Sequence, residues 1–222
     1  MNRISEVGFR AVSLTTASRF AEASALYREV FGYDDPAYGL NPRLLGALAS
    51  NGGSVVGILD ESDRLVAFAY GFCGTDRRGF YHYSQSAVVA AEQQGHGLGR
   101  MLKHAQREVA LSHGMSRMRW TYDPAQVRNA HFNLDVLGAR GRWFAPDMYG
   151  PGTDRVIVEW DLSRDAAPAP DDAALTQLVV PGDPRELRRS FEELLGKGLV
   201  AVSCRRLPDG AGAYYFGPAD DA

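Results

Sequence analysis

The chain has 222 residues, 45% of them hydrophobic and 23% charged, enough to bury a full core without staples and too balanced for a disordered chain or a fibre. Its two cysteines, Cys73 and Cys204, exclude a disulfide framework and a cysteine-based zinc site. With 24 basic against 27 acidic side chains, net −3, it lacks the basic excess expected of a nucleic-acid binder. No apolar run reaches the ~18–20 residues of a membrane span, and the N-terminus has no apolar signal stretch. A cytoplasmic protein without nucleic-acid or membrane partners is the expectation.

In chain order, residues 9–14 read as a strand. Residues 16–31 read as a helix with Phe20, Ala23, Leu26, Tyr27 and Val30 on one stripe and Gly32 as its stop. A second helix opens at Asn41-Pro42, where proline suits the first turn. Residues 54–59 and 65–72 alternate as strands across an acidic turn, a hairpin, and a longer strand covers 80–90. The pattern then predicts a helix at 98–112, a strand at 115–122, a helix at 126–137 stopped by Gly138, and strands at 143–149 and 155–162. Residues 163–174 are Pro-, Ala- and Asp-rich without periodicity and read as a linker. The charge also divides there: residues 1–162 carry 17 basic and 17 acidic side chains, and residues 163–222 carry 7 and 10. Beyond it, 184–195 is an amphipathic helix and 199–206 with 213–216 form two strands. The expected domains are 1–162, with 175–222 as a small αββ appendage that covers an acceptor site, makes a homodimer contact or extends the core.

The stretch that carries chemistry is Ala87–Leu102, where an apolar strand ends in a polar turn and Gly95, Gly97 and Gly99 lead into a helix. Glycines leave backbone N–H groups uncovered and permit positive φ, so successive amides converge on an anion at the positive end of a helix dipole. A dinucleotide fingerprint is excluded because Arg100 stands where its third glycine belongs, and a nucleotide P-loop because Gly-Lys-Ser/Thr is missing. What fits is Gln/Arg-x-x-Gly-x-Gly/Ala, here Gln94 to Gly99. The five histidines show no His-Glu-x-x-His spacing, so no metal site is expected.

On this loop, its flanking strand and helix and the element order, residues 8–162 resemble the GNAT superfamily of acyl-CoA-dependent N-acyltransferases. Residues 120–124, 128–133, 137–139 and 147–150 are similar to a bacterial subgroup, some of whose members are associated with amino-acid N-succinylation. The resemblance implies an α+β fold, a bent mixed sheet flanked by helices, in which the strands at 81–90 and 115–122 splay around pantetheine. It implies acyl-CoA (acetyl- or succinyl-CoA) as co-substrate and a small-molecule amine, an amino acid among the candidates, as acceptor. Cofactor contacts would come from Val88, Val89, Gln94, Gly95, His96, Gly97, Leu98, Gly99, Arg100 and Asn129, with side chains of Val88, Val89 and Leu98 lining the pantetheine slot.

Strand alternation puts Tyr83, Gln85 and Val89 on one face and His82, Ser84 and Val88 on the other. The positions where relatives carry their base hold Tyr83, a base or relay, and Gln85, which does not titrate and at best positions a water. The family's acid, a Tyr four residues before the helix-stopping glycine, is replaced by Leu134. His131, one turn earlier, and Tyr149 are the candidate proton donors. Arg119, Arg142 and Trp143 read as surface or packing residues, with a frame for an acceptor carboxylate as the alternative, and Arg100, Lys103 and Arg107 as a solvated helix face. Two other readings stay open: a non-catalytic acyl-CoA-binding module, suggested by Gln85 and Leu134, and a protein lysine or N-terminal acetyltransferase.

Overall fold

The helix boundaries follow local chemistry. In the computed structural model, Thr16 accepts a hydrogen bond from the Arg19 N–H to open helix α1 (Ala17–Phe31), which Gly32 closes at φ 65°. Asn41 caps α2 (Pro42–Ser50), with proline in its first turn. The structure describes residues 5–6, 8–164 and 174–219; most of the expected linker, residues 165–173, lies outside them. No helix among the described residues is long and apolar enough to cross a membrane.

The chain forms two compact units, residues 1–118 and 119–222. The first holds five antiparallel strands in chain order: β1 (Ser5–Glu6), β2 (Phe9–Ser13), β3 (Ser54–Leu59), β4 (Leu65–Asp76) and β5 (Gly79–Val89). On one face Leu14, Phe20, Leu26, Leu45, Phe68, Tyr70 and Val88 form a core with α1 and α2. On the other, Val56, Ile58, Ala67 and Ala69 pack on Leu98, Met101 and Leu102 of α3 (Leu98–Ser112).

The second unit orders its strands β6 (Arg117–Tyr122), β8 (Arg155–Asp161), β7 (Arg140–Ala145), β10 (Leu199–Arg206), β11 (Gly212–Pro218) and β9 (Thr176–Val179). The expected helix at 126–137 is a single α turn, α4 (Val127–His131), continued as a wider π turn over Phe132–Val136. The strand expected at 143–149 ends at Ala145, because residues 147–154 close into a side-chain-bonded loop. The C-terminal segment is βαββ rather than αββ: β9 precedes α5 (Pro184–Gly196) and pairs with β11. It shares its sheet with the strands at 140–161, since Ala201 of β10 pairs with Gly141 of β7. Phe191 of α5, fully buried, stacks on Phe144 at 5.6 Å and meets Tyr214 edge-on at 4.9 Å.

Candidate active site

The glycine loop is built as its chemistry requires. Gly95 has φ 90°, and a Cβ added there would meet nothing within 4 Å. Gly97, at φ 75°, opens α3 without a side-chain cap. Its carbonyl accepts from the N–H groups of Arg100 and Met101. Among the described residues no protein acceptor takes the N–H groups of residues 95–99, and Gln94, Gly95, His96 and Gly97 are exposed. A row of main-chain donors at a helix N-terminus, open to solvent, is an anion seat. The Arg100 side chain is exposed beside it.

The side-chain slot expected of Val88, Val89 and Leu98 is not built. Leu98 is 1% exposed in the α3 core and Val88 is 3% exposed in the α1–α2 core, while Val89 packs against the α3 cluster. The expected sharing of faces along β5 also fails. Tyr70 pairs with Ser86 and Gly71 with Ser84, so Gln85 is an extra residue, a bulge that shifts the alternation. Tyr83 therefore joins the face of Val88, its ring 5.3 Å from that of Phe72. Gln85 itself is exposed.

On the α3 face, Lys103 is buried rather than solvated. It donates to Ser84 Oγ at 2.9 Å, Ser84 donates to Gln106 Oε1 at 2.8 Å, and Gln106 donates to Ser54 Oγ at 3.1 Å. Ser54 Oγ then lies 2.9 Å from His82 Nε2. Burial pushes Lys103 down to about 7. Burial first, then the Lys103 charge, pushes His82 down to about 4. This network was missed because Lys103 and Gln106 look like surface residues; the signal was Leu102, Gln106 and Ala110 recurring at helical spacing.

In the second unit, Trp120 Nε1 donates to Asn133 Oδ1 at 2.9 Å, and Asn133 Nδ2 donates to Asn129 Oδ1 at 3.3 Å. Asn129 is exposed with its own amide N–H groups turned to no protein acceptor among the described residues. The π turn adds a residue, so helical counting back from Gly138 slips by one and reaches Asn133 rather than Leu134. His131 is half-exposed, its Nδ1 2.9 Å from the Cys204 carbonyl and 3.1 Å from Asp135 Oδ2. Tyr149 is 53% exposed, with the Arg155 guanidinium 5.5 Å from its ring centroid. Its loop is anchored by Arg188 of α5, which donates to both Asp147 oxygens at 2.9 and 3.0 Å and to both Asp154 oxygens at 2.6 and 2.9 Å. Arg119 and Arg142 are engaged within the fold: Arg119 pairs with buried Glu159 at 2.6 Å, and Arg142 Nε lies 3.5 Å from the same carboxylate. Trp143 lies against Arg119, 4.5 Å from ring centroid to guanidinium.

Solved structures of known acetyltransferases share the fold. The ribosomal-protein-S5-alanine acetyltransferase of Vibrio fischeri superposes with a TM-score of 0.58 at 14% identity, over 76% of this chain and 100% of that one. A phosphinothricin acetyltransferase of Sinorhizobium meliloti, solved with acetyl-CoA, gives 0.57 at 16% identity over 72% and 94%. A GNAT-family acetyltransferase of Streptococcus pneumoniae gives 0.55 at 16% identity over 68% and 97%. No curated protein matches significantly. The sequence family described as Acetyltransferase (GNAT) matches residues 20–138, more than half of the chain and inclusive of the glycine loop, β5, α3 and α4. The chain belongs to the GNAT acetyltransferase family.

Proposed function

We propose that this acetyltransferase moves an acyl group, acetyl or a succinyl-like dicarboxylic acyl, from acyl-CoA to the primary amine of a small molecule, with amino acids in the acceptor class. The observation that carries the reading is the unpaired amide row of residues 95–99 at the head of α3, which suits the CoA diphosphate. Asn129 adds an exposed amide. Family membership supports residues 1–162 as the acyltransferase part, with 175–222 as an extension.

The transfer needs a neutral amine, a polarised thioester carbonyl and a proton for the leaving sulfur. The amine nitrogen adds to the carbonyl carbon, the C–S bond breaks, and the nitrogen releases a proton as the sulfur gains one. In this reading Gln85 positions a water that takes the ammonium proton, with Tyr83 as relay, and His131 or Tyr149 supplies the sulfur. Each proton-transfer group is worth ~10²–10⁴-fold.

Thermal unfolding with acetyl-CoA and succinyl-CoA tests the donor seat. At ~100-fold above Kd a bound donor stabilises by about 2.7 kcal/mol, and no shift with either at millimolar concentration overturns the proposal. Thiol release across an amine panel then separates catalysis from mere binding.

A further inference from the structure

We propose that Asp135 and strand β10 of the C-terminal extension are positioning groups for His131, holding its ring as the Nδ1–H tautomer so that Nε2 delivers the proton to the departing CoA sulfur. The inference rests on the acyltransferase reading and gives the extension a part in it.

The argument begins with the two partners of Nδ1. The Cys204 carbonyl oxygen at 2.9 Å and Asp135 Oδ2 at 3.1 Å are both acceptors, and ionised carboxylate and carbonyl have no hydrogen to give. Nδ1 must therefore carry the proton in either charge state. In the neutral ring that leaves Nε2 as the basic nitrogen; in the imidazolium it leaves Nε2–H as the proton to be donated. Asp135 is itself fixed from β10. Ser203 Oγ donates to Oδ1 at 2.5 Å and the Cys204 N–H donates to Oδ2 at 2.9 Å. The His131 side chain is half-exposed.

Asp135 orients the ring, as a carboxylate does in acid–base dyads. Arg205 Nε lies 3.8 Å from Asp135 Oδ1. Burial raises the Cys204 thiol to about 12 and pushes the Tyr122 and Tyr214 phenols above their ordinary range, so these groups stay neutral. The balance is simple. As the acyl C–S bond breaks, sulfur takes the Nε2 proton, CoA leaves as the thiol, and the imidazole recovers a proton from solvent, which has received the one lost by the amine.

The test is the pH profile of kcat with saturating acyl-CoA and an amine that the wild type accepts. The wild type is expected to lose kcat at alkaline pH, where the proton donor is spent. His131→Gln should lower kcat ~100-fold and lack that alkaline limb. Asp135→Asn should lower kcat ~10-fold and keep the acyl-CoA KM within ~2-fold, because the ring is misoriented while the donor still binds. The double variant should be no slower than His131→Gln alone, since both act through one group. A limb that persists in His131→Gln, or losses that multiply in the double variant, overturns the proposal. Nitrogen NMR of the wild type keeps the question open to decision even where a variant fails to fold: an Nε2–H tautomer for neutral His131 also overturns it. Absence of thiol release by the wild type with every amine sinks the transferase reading instead, and leaves the tautomer result standing by itself.

Discussion

The head of α3 and the α4 turn are both helix starts with polar groups, and they use them in opposite ways. At α3 the main-chain donors of residues 95–99 have no protein acceptor among the described residues, and residues 94–97 are exposed. Around α4 the side chains bind one another: Trp120 with Asn133, Asn133 with Asn129, and His131 with Asp135 and the Cys204 carbonyl. An anion seat made of backbone needs glycines and a helix, both local. A side chain held at a fixed angle needs partners, and for His131 one of them, the Cys204 carbonyl, comes from 73 residues away. The first region binds by staying unsatisfied, whereas the second positions by being satisfied.

The largest expected effect probes what lies beneath the first region. Lys103, on the buried side of α3, has its ionisation lowered from 10.5 to about 7 by desolvation. A depressed lysine binds fewer protons folded than unfolded between those values, so it adds stability as pH climbs from about 7 towards 10.5 and removes it at lower pH. Lys103→Met should unfold at higher temperature than wild type at pH 7, and the gap should narrow steadily towards pH 10. A gap that does not change with pH would show the Lys103 charge to be compensated inside the fold. His82, lowered to about 4, has the complementary signature: being depressed from 6.5, it costs stability as pH falls from about 6.5 to 4.

Next in size is Gly97→Val. At φ 75° a β-branched residue is strained by about 1–3 kcal/mol, and the strain falls on the amide row. Acyl-CoA affinity should drop ~10–100-fold by titration calorimetry, more than the melting temperature suggests. Unchanged affinity would break the comparison, because it would mean the donor is held by side chains.

These contrasts explain what was readable in advance. The helix starts near residues 16 and 41–42, the stop at Gly32 and the span of α3 were legible because each is decided by residues within a turn of itself. The glycine loop was legible for the same reason. The parity of β5 was not, because a bulge at Gln85 is set by pairing with β4 and changes no local propensity. Nor was the α4 turn: the π register appears where Asn133 is tied to Trp120 and Asp135 to β10. Lys103 misled because a basic residue on a helix is ordinarily solvated, and its burial depends on serines of β3 and β5 that no helical window contains.

Asn133→Leu tests the second region on its own. It leaves the buried Trp120 N–H without its acceptor and frees Asn129, for a cost of about 1–3 kcal/mol. Because Asn129 then loses its support, acyl-CoA KM should rise while kcat changes less, and the π turn should relax towards an ordinary helix.

The smallest effect expected is at Gln85. Its exposed side chain at the bulge does not titrate and at most orients a water, so Gln85→Ala should cost kcat less than ~10-fold, below the range of a true proton-transfer group. The bulge itself should survive, since it is made by the pairing of Ser84 and Ser86 with β4. The informative partner is Gln85→Glu, which puts a titrating group at the same position without altering the backbone. A new acidic limb in the kcat profile would place Gln85 beside the acceptor amine, and a profile identical to wild type would move the water, and the base with it, to Tyr83.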